Sequence, residues 1–156
     1  MTLQLIETNL AQFHTNLATL TSGDWVISTS TFASELVAKE FKQLKNKDKN
    51  SKLQQEIAWF AIGEKSAQIL MSESSYVIRK VNFPEKETSE GLLAHLAKFS
   101  TYDTKVELFP EKKRKIIILK GEGGRTLLKD SLLALGHQVM ESDLYKRKIV
   151  EPAMLS

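Results

Sequence analysis

Apolar residues recur along the chain with two spacings, and the alternation between them predicts strands that alternate with helices. Ile116–Leu119 is a continuous apolar run, typical of a parallel strand that is buried on both faces. Apolar residues then return at helical spacing over Leu128–Leu135, and Gly136 is placed to end that helix. The segment Lys115–Val139 therefore predicts a strand, a glycine-rich loop, a helix and a second strand.

The same patterns extend over the rest of the chain. They predict five strands, at Trp25–Ser28, Ile57–Ile62, Tyr76–Val81, Ile116–Leu119 and Gln138–Tyr145. Helices are predicted over Leu3–Leu20, Phe32–Leu44, Ser66–Met71, Leu92–Phe99 (with Thr88–Ser89 as its N-cap) and Leu128–Leu135, whereas Lys45–Gln55 and Ser100–Pro110 are predicted to be irregular. This order predicts an α/β three-layer sandwich around a mostly parallel five-stranded sheet, of flavodoxin-like or Rossmann-like type.

Composition narrows the class of protein. The chain has 156 residues, enough for one domain with a sizeable core, and its 42% hydrophobic and 26% charged content is ordinary for a globular protein. No apolar run is long enough to span a membrane, and the start lacks the basic and apolar regions of a signal peptide. The absence of cysteine fits a cytoplasmic protein, and the net charge of +3 slightly favours an anionic ligand without indicating nucleic acid.

Polar and glycine residues follow the predicted strands. Because parallel strands end at the same edge of a sheet, where ligands bind, these residues are expected to converge there. They are Thr29 and Ser30 after the first strand, Gly63, Lys65 and Ser66 after the second, Ser89 after the third, Gly121, Gly123, Gly124 and Arg125 after the fourth, and Tyr145 at the end of the fifth. Such a group suits a ligand with several carboxylates or phosphates.

Each of these residues also has a purely structural interpretation. Thr29–Ser30 and Ser66 are good helix N-caps, Gly123–Gly124 could allow close packing of a helix on a strand, and Tyr145 could belong to the core. The three histidines have no metal-ligand spacing, so the sequence predicts no metal site.

Five segments, taken in order, resemble the uroporphyrinogen-III synthase family. They are DWVISTS (Asp24–Ser30), AIGEKSAQIL (Ala61–Leu70), TSEGLL (Thr88–Leu93), LKGEGGRTLL (Leu119–Leu128) and LGHQVMESDLYKR (Leu135–Arg147). The resemblance implies an enzyme that closes the linear tetrapyrrole hydroxymethylbilane into uroporphyrinogen III, with loss of water and inversion of the last pyrrole ring. It implies a lyase of porphyrin and haem biosynthesis that needs no cofactor and acts without nucleic acid or membrane.

The resemblance also implies roles for the residues at the strand ends. Tyr145 is the candidate to protonate or hydrogen-bond the departing hydroxyl. The hydroxyls of Thr29, Ser30, Ser66 and Ser89 would bind substrate carboxylates, and Lys65, Arg125 and the backbone of Gly63 and Gly121–Gly124 would add positive potential.

Members of this family are longer and consist of two lobes. Residues 1–145 are expected to form one α/β lobe, and residues 146–156 a connecting segment. Alternatives remain open: a truncated or non-catalytic tetrapyrrole-binding lobe, and, with less support, a flavodoxin-like signalling or binding module. A second lobe, or self-association of this chain, could complete the cleft.

Overall fold

The computed structural model describes residues 2–7, 10–44, 57–73, 78, 80–104 and 113–150. The described strands are β1 (Thr2–Glu7), β2 (Trp25–Ser28), β3 (Ala58–Ala61), β4 (Val81–Asn82), β5 (Lys115–Gly121) and β6 (Gln138–Val150). The described helices are α1 (Leu10–Leu17), α2 (Thr31–Leu44), α3 (Glu64–Glu73), α4 (Ser89–Thr104) and α5 (Leu127–Ala134).

The strands form one sheet with the order β1-β6-β5-β2-β3-β4. The pairs β6–β5, β5–β2, β2–β3 and β3–β4 are parallel, which confirms the predicted five-stranded parallel sheet. β1 adds a sixth strand, which pairs antiparallel with the second half of β6.

Two apolar clusters cover the two faces of the sheet, as the continuous apolar run in β5 predicts. Ile117 and Leu119 pack in one cluster, together with buried residues of α1, α2 and α3. Ile116 and Ile118 point the other way and pack with buried residues of α4 and α5. All four side chains are at most 2% exposed. The architecture is therefore a three-layer sandwich, with three helices on one face and two on the other.

The predicted helix over Leu3–Leu20 is wrong in its first part. Thr2–Glu7 is a strand, and helix α1 begins only at Leu10. The sequence TLQLIE fits a strand as well as a helix, since leucine alternates with polar residues at its start. Pairing with Tyr145–Val150, far away in sequence, supplies the backbone hydrogen bonds and decides the outcome.

Other boundaries also differ from the predicted ones. α4 continues to Thr104, so Ser100–Thr104 is helical rather than irregular, since no glycine or proline interrupts it there. The whole of the predicted loop Lys45–Gln55 and residues 105–110 lie outside the described residues, as do Tyr76, Val77 and Arg79 of the predicted third strand. β6 continues through Tyr145 to Val150, so the division of the chain near residue 145 stays a prediction. Among the described helices, none combines the length and apolarity needed to cross a bilayer.

Candidate active site at the strand ends

A cavity of about 300 Å³ opens at the edge where the parallel strands end. Eight of the eleven residues that the sequence predicted for a site line this cavity: Thr29, Ser30, Ser89, Gly121, Gly123, Gly124, Arg125 and Tyr145. The topology brings them together because their loops all follow strands that point the same way. We call this cavity the strand-end pocket.

A β-bulge places Tyr145 in the strand-end pocket. Lys120 pairs with Asp143 and Gly121 with Tyr145, so Leu144 is the extra residue on β6. The backbone N–H of Glu122 donates to the carbonyl of Tyr145 at 2.7 Å and fixes the strand beyond the bulge. The bulge therefore changes the direction of β6 at Tyr145, so that the phenol lies in the strand-end pocket.

The ring of Tyr145 is held on two sides. Phe32 contacts it edge to face, with ring centroids 4.8 Å apart. A methyl group on Gly121 would lie 2.5 Å from two carbons of the tyrosine ring, so any other residue there would force the ring to move. Gly121 is therefore needed for the position of the phenol. The sequence analysis had assigned this glycine to anion binding alone.

Three hydroxyl groups of the pocket, those of Thr29, Ser30 and Tyr145, are already hydrogen-bonded within the chain. Tyr145 donates to Ser30 Oγ at 2.9 Å, and the same Oγ accepts the backbone N–H of Ala33 at 3.1 Å. Ser30 is thus the N-cap of α2 as well as the partner of the phenol. Thr29 Oγ1 donates to the carbonyl of Leu119 at 3.0 Å, so its proton is used by the fold.

The glycine-rich loop after β5 owes its glycines to backbone conformation. Gly123 and Gly124 have φ angles of +81° and +89°, in the left-handed region that glycine adopts without strain. Nothing lies within 4 Å of the Cβ position of either residue, so close packing of helix on strand is not their purpose. Their exposed backbone forms one wall of the pocket.

Several lining residues were missed by the sequence analysis. They are Ile62, Ile118, Lys120, Glu122, Leu128, Lys129, Glu141 and Arg147. Lys120 Nζ pairs with Asp143 at 2.9 Å and with Glu141 at 3.9 Å, and Lys129 contacts Glu141 at 3.6 Å. The alternation of charged residues in β6 was a signal that could have found Glu141 and Arg147.

Gly63, Lys65 and Ser66 do not line the pocket. Ser66 is 2% exposed and lies in the first turn of α3, so it is neither an N-cap nor accessible to a ligand. Lys65 is exposed on the same turn. The start of α3 is instead occupied by Glu87, whose Oε2 accepts the backbone N–H of Glu64 at 3.0 Å.

Arg125 lines the pocket but is engaged by a carboxylate of the chain itself. Its Nη1 and Nη2 donate to Oε1 and Oε2 of Glu90 at 3.2 and 3.0 Å, a bidentate pair. The hydrogen bond from Arg125 lowers the pKa of Glu90 below its ordinary value. The same pair raises the pKa of the Arg125 guanidinium.

Within the described part of the chain, no three histidine, aspartate or glutamate side chains group as metal ligands would. The lining side chains are cationic, hydroxylic and apolar, with two glutamates among them. They suit an organic anion that carries both carboxylates and apolar surface.

Fold and site together define a three-layer α/β lobe with an anion-suited pocket at the ends of its parallel strands. The family model described as uroporphyrinogen-III synthase HemD matches residues 2–155. The chain therefore belongs to the uroporphyrinogen-III synthase family.

Individual relatives agree with this assignment. The chain is 34% identical over 132 residues to the uroporphyrinogen-III synthase of Salmonella typhimurium, which covers 84% of this chain and 46% of that protein. The crystal structure of wild-type uroporphyrinogen III synthase from Thermus thermophilus superposes on this chain with a TM-score of 0.61 at 17% identity. The match covers 92% of this chain and 49% of the Thermus chain. The Helicobacter pylori synthase gives 0.55 at 21% identity, over 98% and 56%. These structures share the fold, and the chain spans about half the length of its relatives.

Proposed function

We propose that this chain supplies one lobe of a uroporphyrinogen-III synthase and binds the linear tetrapyrrole hydroxymethylbilane in the strand-end pocket. The observation that carries the proposal is the position of Tyr145, whose phenol lies in the pocket beside Ser30 and the glycine-rich loop. Family membership supplies the reaction, and the pocket supplies groups suited to it.

Tyr145 is proposed to act on the hydroxyl that leaves during ring closure. The carbon–oxygen bond of the substrate's hydroxymethyl group breaks, and the oxygen leaves as water with an additional proton. The phenol donates a hydrogen bond or that proton to the departing oxygen. Turning both hydroxyl hydrogens reverses the bond to Ser30, because Ser30 can then donate to the phenol oxygen. That reversal frees the phenol proton for the ligand while Ser30 keeps its bond from Ala33.

The substrate's acetate and propionate carboxylates are proposed to bind the cationic groups around the pocket. Arg147 is exposed and, among the described residues, makes no ion pair, so it is available to a carboxylate. The Lys120 side chain, in contrast, is only 13% exposed and is paired with Asp143. It therefore stabilises the wall of the pocket rather than binding a carboxylate. Ser89 and the exposed backbone of Gly123 and Gly124 complete the proposed contacts. Thr29 already donates to the carbonyl of Leu119, and burial of Ser66 argues against a role for its hydroxyl.

The reaction itself is proposed to depend mainly on positioning. Holding the tetrapyrrole so that its ends meet converts ring closure into a favourable intramolecular step. A cytoplasmic location belongs to the same proposal. Because the chain spans about half of its relatives, a second lobe or self-association of this chain is proposed to complete the cleft.

An isomer assay tests the proposal. Hydroxymethylbilane is generated in situ, the 156-residue chain is added, and the oxidised products are separated into uroporphyrins I and III. Isomer III above the protein-free control is expected, and Tyr145→Phe should reduce its rate by about 10²-fold, the scale of a lost general acid. Lys39→Gln on the far side of α2 is the control. Isomer I alone, with saturable binding of the tetrapyrrole, would favour the second candidate, a non-catalytic binding lobe, which the half-length match supports.

A further inference from the structure

Two carboxylates of one short segment occupy positions where the sequence predicted that a ligand anion would bind. The segment runs from Glu87, in the loop after β4, to Glu90, in the first turn of α4. Glu90 forms the bidentate pair with Arg125 at 3.0 and 3.2 Å. Glu87 accepts the first backbone N–H of α3, from Glu64, at 3.0 Å.

The contact of Glu87 is shaped by the residue beneath it. A methyl group on Gly63 would lie 2.8 Å from Glu87 Oε1, so the carboxylate rests directly on the glycine backbone. At this place the N-terminus of α3 presents its N–H groups and the positive end of its dipole. Glu87 therefore makes the contacts that a bound carboxylate would make.

The segment that carries both glutamates is anchored independently of them. Thr88 Oγ1 accepts the backbone N–H of Gly91 at 3.0 Å and caps α4. The carbonyl of Thr88 also accepts the N–H of Leu92 at 2.8 Å. Because the backbone is fixed by the cap, either glutamate side chain can swing away without unfolding the segment.

We propose that Glu87 and Glu90 are internal competitors that the carboxylates of a ligand must displace, an inference that rests on the proposed function of the strand-end pocket. The side chains of Arg125 and Glu90 are 61% and 57% exposed, and exposed ion pairs are weak. A ligand carboxylate replaces Glu90 on Arg125 at little cost, because it restores the same charge-assisted hydrogen bonds. A ligand with one carboxylate displaces one competitor, whereas a polycarboxylate displaces both and gains from the shared attachment.

Binding of uroporphyrin I to the full chain, followed by its fluorescence, tests this proposal. Glu90→Gln is expected to tighten binding about twofold to fivefold, the range of one exposed ion pair. Glu87→Gln should act in the same direction, and the double variant should bind tighter than either. Glu85→Gln is the matched control, because it removes the same charge from an exposed position two residues before Glu87. Acetate, a monocarboxylate, should compete poorly with uroporphyrin I.

A double-mutant cycle separates direct competition from general charge. The gain from Glu90→Gln should disappear in the Arg125→Gln background, because the competitor then has nothing to release. A gain that persists there, or a gain no larger than that of Glu85→Gln, overturns the proposal, as does failure of wild type and double variant to bind uroporphyrin I. The isomer assay decides the proposed function separately. If isomer III forms but the double-mutant cycle shows no coupling, the proposed function stands and the competition is wrong. If the cycle shows coupling but no isomer III forms, the competition stands and the proposed synthase function is wrong.

Discussion

At the edge where the parallel strands begin, Asp24 and Arg114 are buried charges that bind the backbone, whereas at the edge where the strands end Arg125 and Glu90 form an exposed pair of side chains. Asp24, which is 6% exposed, accepts the N–H of Thr21 at 2.8 Å and the N–H of Lys115 at 2.9 Å. Arg114, which is 3% exposed, lies 4.5 Å over the ring of Trp25 and donates to the carbonyl of Gly23.

The difference shows how one sheet separates stability from binding. A buried charge with backbone partners cannot be exchanged, since its removal leaves buried N–H groups without an acceptor. An exposed pair such as Arg125 with Glu90 can be exchanged for a ligand, because water replaces either partner. Substitutions at the strand-start edge should therefore lower stability, and those at the pocket should change binding.

The largest expected effect is at Asp24. Asp24→Ala removes the acceptor of two backbone N–H groups, that of Thr21 in the turn before β2 and that of Lys115 at the start of β5. The free energy of unfolding should fall by about 2–4 kcal/mol, the cost of leaving such groups unsatisfied. Urea titration measures it. Asp130→Ala, at an exposed position on α5, is the control and should lower it by less than about 1 kcal/mol. Equal losses at the two sites would contradict the distinction between the edges.

A smaller effect is expected where the pocket depends on packing. Gly121→Ala places a methyl group against the ring of Tyr145, and should lower the free energy of unfolding by about 1–3 kcal/mol. Gly123→Ala should lower it by about 1–2 kcal/mol, through its φ of +81° alone.

NMR distinguishes these two causes. Only Gly121→Ala should shift the ring resonances of Tyr145, because nothing lies within 4 Å of a methyl group on Gly123. Unchanged Tyr145 resonances in Gly121→Ala would show that the ring does not rest on this glycine.

The apolar pattern predicted the layers of the fold well because burial on both faces leaves a direct trace in the sequence. The run at Ile116–Leu119 and the stop at Gly136, with its φ of +91°, are local signals, and both are confirmed. Strand β1 could not be predicted, because its partner is the far end of β6 and its own six residues fit either structure.

The pocket was predictable in outline for a related reason. Parallel topology alone gathers the loops after the strands, so most of the proposed residues do meet. Residue types alone could not show which polar groups already bind another group of the chain or are buried. Ser66 is buried, and Arg125 is paired with Glu90 across 35 positions of sequence. Such contacts depend on side-chain geometry, which no spacing rule contains.

The smallest expected effect is a pH dependence at the strand-start edge. His137 Nδ1 accepts the backbone N–H of Arg114 at 3.2 Å, so the folded chain needs that nitrogen unprotonated. Burial, followed by the charges of Arg114 and Lys113, lowers the pKa of His137 below its ordinary value of 6.5. The unfolded chain therefore binds a proton more readily than the folded one. The stabilisation is fully present above pH 6.5 and is lost as the pH falls through the folded pKa.

Urea titrations from about pH 8 to about pH 5 measure this dependence. In His137→Asn the side-chain oxygen can still accept the N–H of Arg114, but it does not titrate, so the fall in stability toward acid should become shallower. Part of the slope should remain, because burial also lowers the pKa of His95. The residues that line the strand-end pocket include no histidine, so the substitution should leave uroporphyrin I binding at pH about 8 unchanged. A slope that is equal in both proteins would contradict the role of His137, and binding that changes with His137 would mean that the two edges of the sheet are coupled.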